Sequence, residues 1–143
     1  MANKAIPIVA QATLLQKRFP QSSISIDKDQ RLIWRWEVQP SPISPIYTIK
    51  MVYNYKKHPN VYVINPNPLP LAPNKVCLPH VYDTQKQHLC IYFRPGKEWT
   101  PDQIIADTVS PWIAEWLYHY EIWQYTGEWT GGGFHSRSRK KKK

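Results

Sequence analysis

The chain has 143 residues, seven of them Trp and nine Tyr, which is enough for one domain with a dense aromatic core. Its formal net charge is +9, but six of these charges lie in residues 136–143, so the body is only mildly basic. No apolar run approaches the roughly 20 residues of a membrane span, and the N-terminus shows no signal-peptide pattern. We therefore predict a cytoplasmic protein with no membrane partner, in which the two cysteines remain thiols.

The charge distribution also suggests how the chain is divided. We predict a single domain over residues 1–133, followed by a basic tail at 134–143. A block of like charges repels itself, so the tail is predicted to be disordered. Such a tail could contact nucleic acid only weakly, through non-specific electrostatics.

The first predicted element is an N-terminal helix from about Pro7 to Phe19. Pro7 suits the first helical turn, where no backbone donor is lost. Within this range the apolar residues recur at helical spacing and form one stripe, namely Ile8, Ala12, Leu15 and Phe19.

An antiparallel meander of three to four strands is predicted next, over residues 24–26, 32–38, 46–55 and 61–64. In the second and third of these segments, apolar or aromatic side chains alternate with polar ones, which is typical of half-buried strands. Residues 65–79 contain five prolines and are predicted to be a long loop extended over the surface.

C-terminal helices complete an α+β fold. Thr100 is a predicted N-cap, Pro101 suits the first turn, and Gln103 completes a capping box, so a helix is predicted from here to Thr108. Pro111 is predicted to kink or restart it. The continuation carries an aromatic stripe that is typical of core packing: Trp112, Trp116, Tyr120 and Trp123.

The region from the end of the proline-rich loop to these helices contains two cysteines and two histidines close together in sequence, namely Cys77, His80, His88 and Cys90. One interpretation is a nucleophilic Cys90, with His88 as a nearby base and His80 stabilising a developing oxyanion. A second is a tetrahedral zinc site built from all four residues, although the spacing differs from common zinc frameworks. The third is that Cys90 is a small buried hydrophobe in an ordinary strand.

Several separated motifs carry a family resemblance. They include Leu78-Pro79-His80-Val81-Tyr82, His88-Leu89-Cys90, Glu98-Trp99-Thr100-Pro101-Asp102 and Gly131-Gly132-Gly133. In this order they resemble the prokaryotic ubiquitin-conjugating-enzyme-like family, in particular the stand-alone conjugating component of type II (short) CBASS anti-phage systems. The resemblance implies a ubiquitin-conjugating-enzyme-like fold, with no cofactor and no bound metal.

The resemblance implies acyl transfer through a thioester on Cys90, with His80 as the second catalytic residue. The asparagine that follows the histidine in eukaryotic relatives is missing here, so its oxyanion role must pass to another group. A literal His58-Pro59-Asn60 lies about thirty residues before Cys90. We interpret it as turn chemistry that matches the family motif by coincidence.

The resemblance also implies the partners. The acyl donor is expected to be the C-terminus of a cGAS/DncV-like nucleotidyltransferase, and a separate activating enzyme is expected because the chain has no room for an activating domain. His88, Asp102 and Asp107 lie near Cys90 in sequence and could support the incoming amine. Two alternatives stay open, a non-catalytic interaction module on the same fold and a zinc-stabilised nucleic-acid-binding domain.

Overall fold

The computed structural model describes residues 4–91 and 99–131. The basic tail predicted at 134–143 lies outside these ranges. The elements in chain order are α1 (Ile8–Arg18), β1 (Ser23–Ile26), β2 (Arg31–Val38), β3 (Tyr47–Asn54), β4 (Pro59–Asn65), β5 (Val81–Asp83), β6 (His88–Leu89) and α2 (Ile105–Thr126). Among the described residues, no helix combines the length and the apolar composition needed to cross a bilayer.

The described strands form one antiparallel sheet in the order β1-β2-β3-β4-β6-β5. The α+β class and the meander of β1 to β4 are confirmed, but the predicted number of three to four strands is wrong, because the sheet has six. The two additional strands, β5 and β6, have three and two residues. Such short strands show no period that a sequence pattern could reveal.

The core lies between the sheet and the two helices. Alternate residues of β3 are buried, which confirms the predicted period of two. The edge of the Tyr47 ring faces the Tyr120 ring of α2, with centroids 6.4 Å apart. On α1, Ile8 and Leu15 of the predicted stripe are buried, and the helix packs on α2 and β1. Pro7 directly precedes α1 as its N-cap residue.

The C-terminal helix differs from the prediction at its start. It begins at Ile105, not at Thr100. The Thr100 hydroxyl donates to the Asp102 carboxylate instead of capping the helix. The cap comes from α1, because Gln11 Oε1 accepts the backbone N–H of Ile105 at 2.9 Å and its Nε2 donates to the Gln103 carbonyl at 2.8 Å. A buried side chain from a distant helix therefore satisfies the first backbone N–H of α2.

The predicted kink or restart at Pro111 is also wrong, because α2 is a single helix that continues through Pro111. A proline removes one backbone donor and crowds the preceding turn, which favours a break. Here Val109, Ser110 and Ile113 on either side of it are buried. We attribute the continuity of the helix to this burial, which stabilises it against the lost hydrogen bond.

The proline-rich segment is partly buried and does not only cover the surface. Leu69, Ala72 and Leu78 within it belong to the core. The phenol of Tyr120 donates to the Pro70 carbonyl, which ties the segment to α2. This anchoring fixes the path of the chain into β5.

Candidate active site

Cys90 directly follows β6, and the structure places it beside His80. The backbone N–H of Cys90 donates to the His80 carbonyl oxygen at 3.0 Å. The same oxygen accepts the indole N–H of Trp116 at 3.0 Å. The two residues that the family resemblance selected are thus adjacent, and α2 fixes the backbone between them.

On its other side β6 pairs with β4, where Val61 lies opposite Leu89. The backbone at Cys90 is therefore bonded to His80 on one side, and on the other side it lies one residue beyond the Val61–Leu89 pair.

The two cysteines differ in exposure. Cys90 is 0% exposed, whereas Cys77 is exposed, and the two form no disulfide. Among the described residues, no group of three or more His, Cys, Asp or Glu side chains comes close enough to hold a metal ion. The four candidate ligands of the zinc interpretation are therefore not assembled into a site.

The imidazole of His80 is packed against the end of α2 and the segment that follows it. His80 is 4% exposed, and its ring stacks on that of Trp129 with centroids 4.6 Å apart. Its backbone has φ +46°, a left-handed conformation that is uncommon for residues other than glycine. Such a conformation persists where the surroundings hold it, and it is frequent at functional sites.

His88 is held by a hydrogen bond and two rings. Its Nε2 lies 3.1 Å from Asn60 Oδ1. The ring stacks on Tyr62 at 4.6 Å and contacts Tyr82 at 4.8 Å. Burial lowers the pKa of His88 below its ordinary value of 6.5, so the imidazole is neutral at pH 7.

The two predicted supporting carboxylates face other partners. Asp107 lies in the first turn of α2 and forms an ion pair with Arg18 of α1. Asp102 accepts the Thr100 hydroxyl and lines an open groove that also includes Lys4 and Lys56. Proximity to Cys90 in sequence therefore does not by itself assign these two carboxylates to the candidate site.

A groove of about 320 Å³ opens next to Cys90. It combines two histidines, an asparagine and a tyrosine with apolar walls. Both sequence neighbours of Cys90 line it. Its lining residues are His58, Pro59, Asn60, Tyr82, His88, Leu89 and Ile91.

The run His58-Pro59-Asn60 is not confined to a turn, as its residue types predict, because Pro59 and Asn60 begin β4. The signal that could have found this is the alternation that extends back from Val61 to Pro59, since both are buried and Asn60 between them is not. Proline is acceptable at the first residue of a strand. The run thus lines the groove of the candidate site. His80 and Cys90 lie elsewhere in the sheet, directly before β5 and directly after β6.

An antiparallel sheet that packs with two helices, with a cysteine directly after the strand next to one sheet edge, is compatible with the class of conjugating-enzyme-like proteins. Residues 11–136 match the sequence profile of the family described as Type II CBASS E2 protein. This match covers most of the chain, so the chain belongs to that family, as the motif resemblance predicted. No curated protein gives a significant match.

Family membership defines the role in outline. It implies an E2-like conjugation role in anti-phage defence and a ubiquitin-conjugating type of fold. It also implies partners from the CBASS system, such as a cGAS-like cyclase.

Proposed function

We propose that the chain is a conjugating enzyme of the cytoplasm that carries a protein C-terminus as a thioester on Cys90 and transfers it to an amine. The donor is the C-terminus of a cGAS/DncV-like nucleotidyltransferase, and a separate activating enzyme delivers it in activated form. The observation that supports this most is the backbone contact between Cys90 and His80 within a chain that belongs to the family.

The chemistry needs little more than a positioned thiolate. The Cys90 sulfur attacks the activated carbonyl carbon, a C–S bond forms, and the activating group leaves. The thioester keeps the acyl group reactive, so the second step depends on positioning an amine and on stabilising the oxyanion. His80 contributes by its carbonyl, which accepts the Cys90 backbone N–H, while its imidazole is held by stacking on Trp129.

The burial of Cys90 has a consequence for this function, because a fully buried sulfur cannot attack a protein C-terminus. The acyl-accepting form must therefore differ from the described one in the exposure of Sγ, and an opening step precedes loading.

The opening step predicts unequal cysteine reactivity. We expect N-ethylmaleimide to modify Cys77 at the rate of an exposed thiol and Cys90 at least about tenfold more slowly, which corresponds to an opening free energy of ~1.4 kcal/mol or more. Peptide mapping by mass spectrometry at several times measures both rates in one sample. Mild urea should raise the Cys90 rate more than the Cys77 rate. Equal rates in native buffer would show that Cys90 is accessible without opening.

The function itself is tested by co-expression with the cyclase and the genes that neighbour it. We expect a higher-mass cyclase species that forms with the wild-type chain and with Cys77→Ala, and disappears with Cys90→Ala. Cys77→Ala is the matched control because it removes the exposed cysteine and leaves the buried one. An adduct that survives Cys90→Ala would mean that another residue is the nucleophile.

Two features favour one second candidate, a non-catalytic interaction module on the same fold. Cys90 is buried, and Tyr82 stands two residues after His80, where the family motif has the asparagine. In that case the chain would bind the cyclase without forming any covalent species. The same co-expression distinguishes the two functions. Co-purification with no adduct in any version, with all partner proteins detected, would support the non-catalytic module.

A further inference from the structure

We propose that the groove beside Cys90 receives the acceptor amine and that His88 accepts the proton which the amine loses as it attacks the thioester. Asn60 is a positioning residue that fixes the tautomer of His88. The inference rests on the proposed function, because it requires an acyl group on Cys90. It assigns to the groove a substrate class, a primary amine such as a lysine side chain.

The first support is the position of the groove. Leu89 and Ile91, the two sequence neighbours of Cys90, both line it, so the groove opens beside the Cys90 backbone, and we propose that the acyl group enters it when Sγ becomes exposed. The strand register pairs Leu89, the residue before Cys90, with Val61, the residue after Asn60. An amine in the groove is therefore next to the carbonyl carbon that it must attack.

The second support is the tautomer of His88. An amide oxygen can only accept a hydrogen bond, so the contact with Asn60 Oδ1 requires the hydrogen on His88 Nε2. In a neutral imidazole the other nitrogen, Nδ1, then carries the lone pair and is the proton acceptor. The rings of Tyr62 and Tyr82 hold the imidazole plane in place.

The third support is the charge around His88. Its pKa is lowered first by burial, while Asp83 on β5 opposes this shift and Lys86 in the following turn adds to it. The rings of Tyr62 and Tyr82 pack against the imidazole, and His58 lines the same groove. The net effect leaves His88 unprotonated at neutral pH, which is the form a general base requires.

The proposed step balances without any further reactant. The amine nitrogen attacks the thioester carbonyl carbon, a C–N bond forms, and the C–S bond breaks. The proton from the nitrogen passes to Nδ1 of His88, and the sulfur of Cys90 leaves as a thiolate. Transfer of that proton to the thiolate, directly or through water, restores the neutral imidazole and the thiol.

The test separates loading from transfer. All versions carry Cys77→Ala, because Cys77 is exposed and would otherwise be loaded first. A synthetic thioester of the cyclase C-terminal peptide is exchanged onto Cys90, and the loaded protein is measured by intact mass. Nα-acetyl-lysine is then added, and the loss of the thioester and the appearance of the amide are followed between pH 5 and 9. This design needs no activating enzyme.

We expect His88→Gln to load normally and to transfer the acyl group roughly 10²–10⁴-fold more slowly than the wild type. The wild-type rate should rise as His88 loses its proton, with an inflection below pH 6.5, and this inflection should be absent in His88→Gln. The matched control is His119→Gln on α2, where the ring nitrogen contacts Thr130, and it should keep both the rate and the inflection.

Asn60→Asp is the second variant, because a carboxylate still accepts from Nε2 but stabilises the imidazolium. It should move the inflection to higher pH while loading stays normal. Normal loading with unchanged transfer rate and pH dependence in His88→Gln would overturn this inference and leave the proposed function in place. If the wild type forms no thioester on Cys90, the proposed function fails, and this inference fails with it.

Discussion

Trp116→Ala is expected to lower the free energy of unfolding by about 3–5 kcal/mol, the usual cost of truncating a buried Trp. Trp116 is fully buried and stacks on Tyr120 with ring centroids 5.6 Å apart. Its indole N–H also holds the His80 carbonyl, which in turn accepts from Cys90. The substitution therefore removes core volume and one anchor of the candidate site. Urea denaturation followed by far-UV circular dichroism measures the change.

Two variants on the same helix make this result interpretable. Tyr118→Ala removes an aromatic side chain that is about half exposed, and it should change the stability by under about 1 kcal/mol. Trp116→Phe retains most of the buried area and loses the indole N–H. Its loss of unfolding free energy should therefore lie between those of Trp116→Ala and Tyr118→Ala. A Trp116→Ala protein as stable as Tyr118→Ala would contradict the described packing of α2.

Gln87→Leu is expected to cost about 2–4 kcal/mol, because each buried backbone group left without a partner costs roughly 1–3 kcal/mol. The Gln87 amide donates to the carbonyls of Val63 and Pro66 at 3.0 Å each and accepts the Leu69 N–H at 2.7 Å. Gln87 directly precedes β6, so its side chain holds the proline-rich segment and the end of β4 against the start of β6. Thermal and urea unfolding measure the loss.

Gln85→Leu is the matched control, since Gln85 lies in the same turn and is exposed. It makes the identical chemical change and should leave the stability within about 0.5 kcal/mol of the wild type. Equal effects of the two substitutions would show that the side chain of Gln87 does not hold the proline-rich segment. The backbone of Gln87 has φ +52°. Glutamine and leucine are both unbranched at Cβ, so the substitution itself adds little backbone strain, and the loss of stability reports on the amide group.

The longer elements were predictable because their burial follows a short, regular period. On β3 every second residue from Tyr47 to Tyr53 is buried, so the alternation in the sequence reports directly on the structure. On α1 the turns that contain Ile8 and Leu15 face the core in the same way. In these elements the local pattern and the tertiary packing agree.

The start of α2 was not predictable, because its cap is not local. Thr100 offers a local capping signal, but the bond that satisfies Ile105 comes from Gln11, 94 residues earlier in the chain. No sequence window that contains the helix start can show that contact. A local propensity was overridden by a tertiary hydrogen bond.

The candidate site was predictable only in part for a similar reason. The motif resemblance selected His80 and Cys90, which the structure brings into backbone contact. It gave no reason to connect Asn60 with His88, since 28 residues separate them and the pairing of β4 with β6 is set by a strand of only two residues. Sequence proximity also suggested Asp107, which instead pairs with Arg18 across the two helices.

The measurement that tests the central claim most directly is the mass and site of a covalent adduct on the purified chain. The chain is incubated with the cyclase and the activating enzyme, quenched without thiol, and analysed by intact mass and peptide mapping. We predict an adduct equal to the sum of the two chains less one water, attached at Cys90 and released by thiol, and a thiol-resistant oxyester in Cys90→Ser. No adduct on Cys90, with a cyclase C-terminus shown to be activated, would contradict the account.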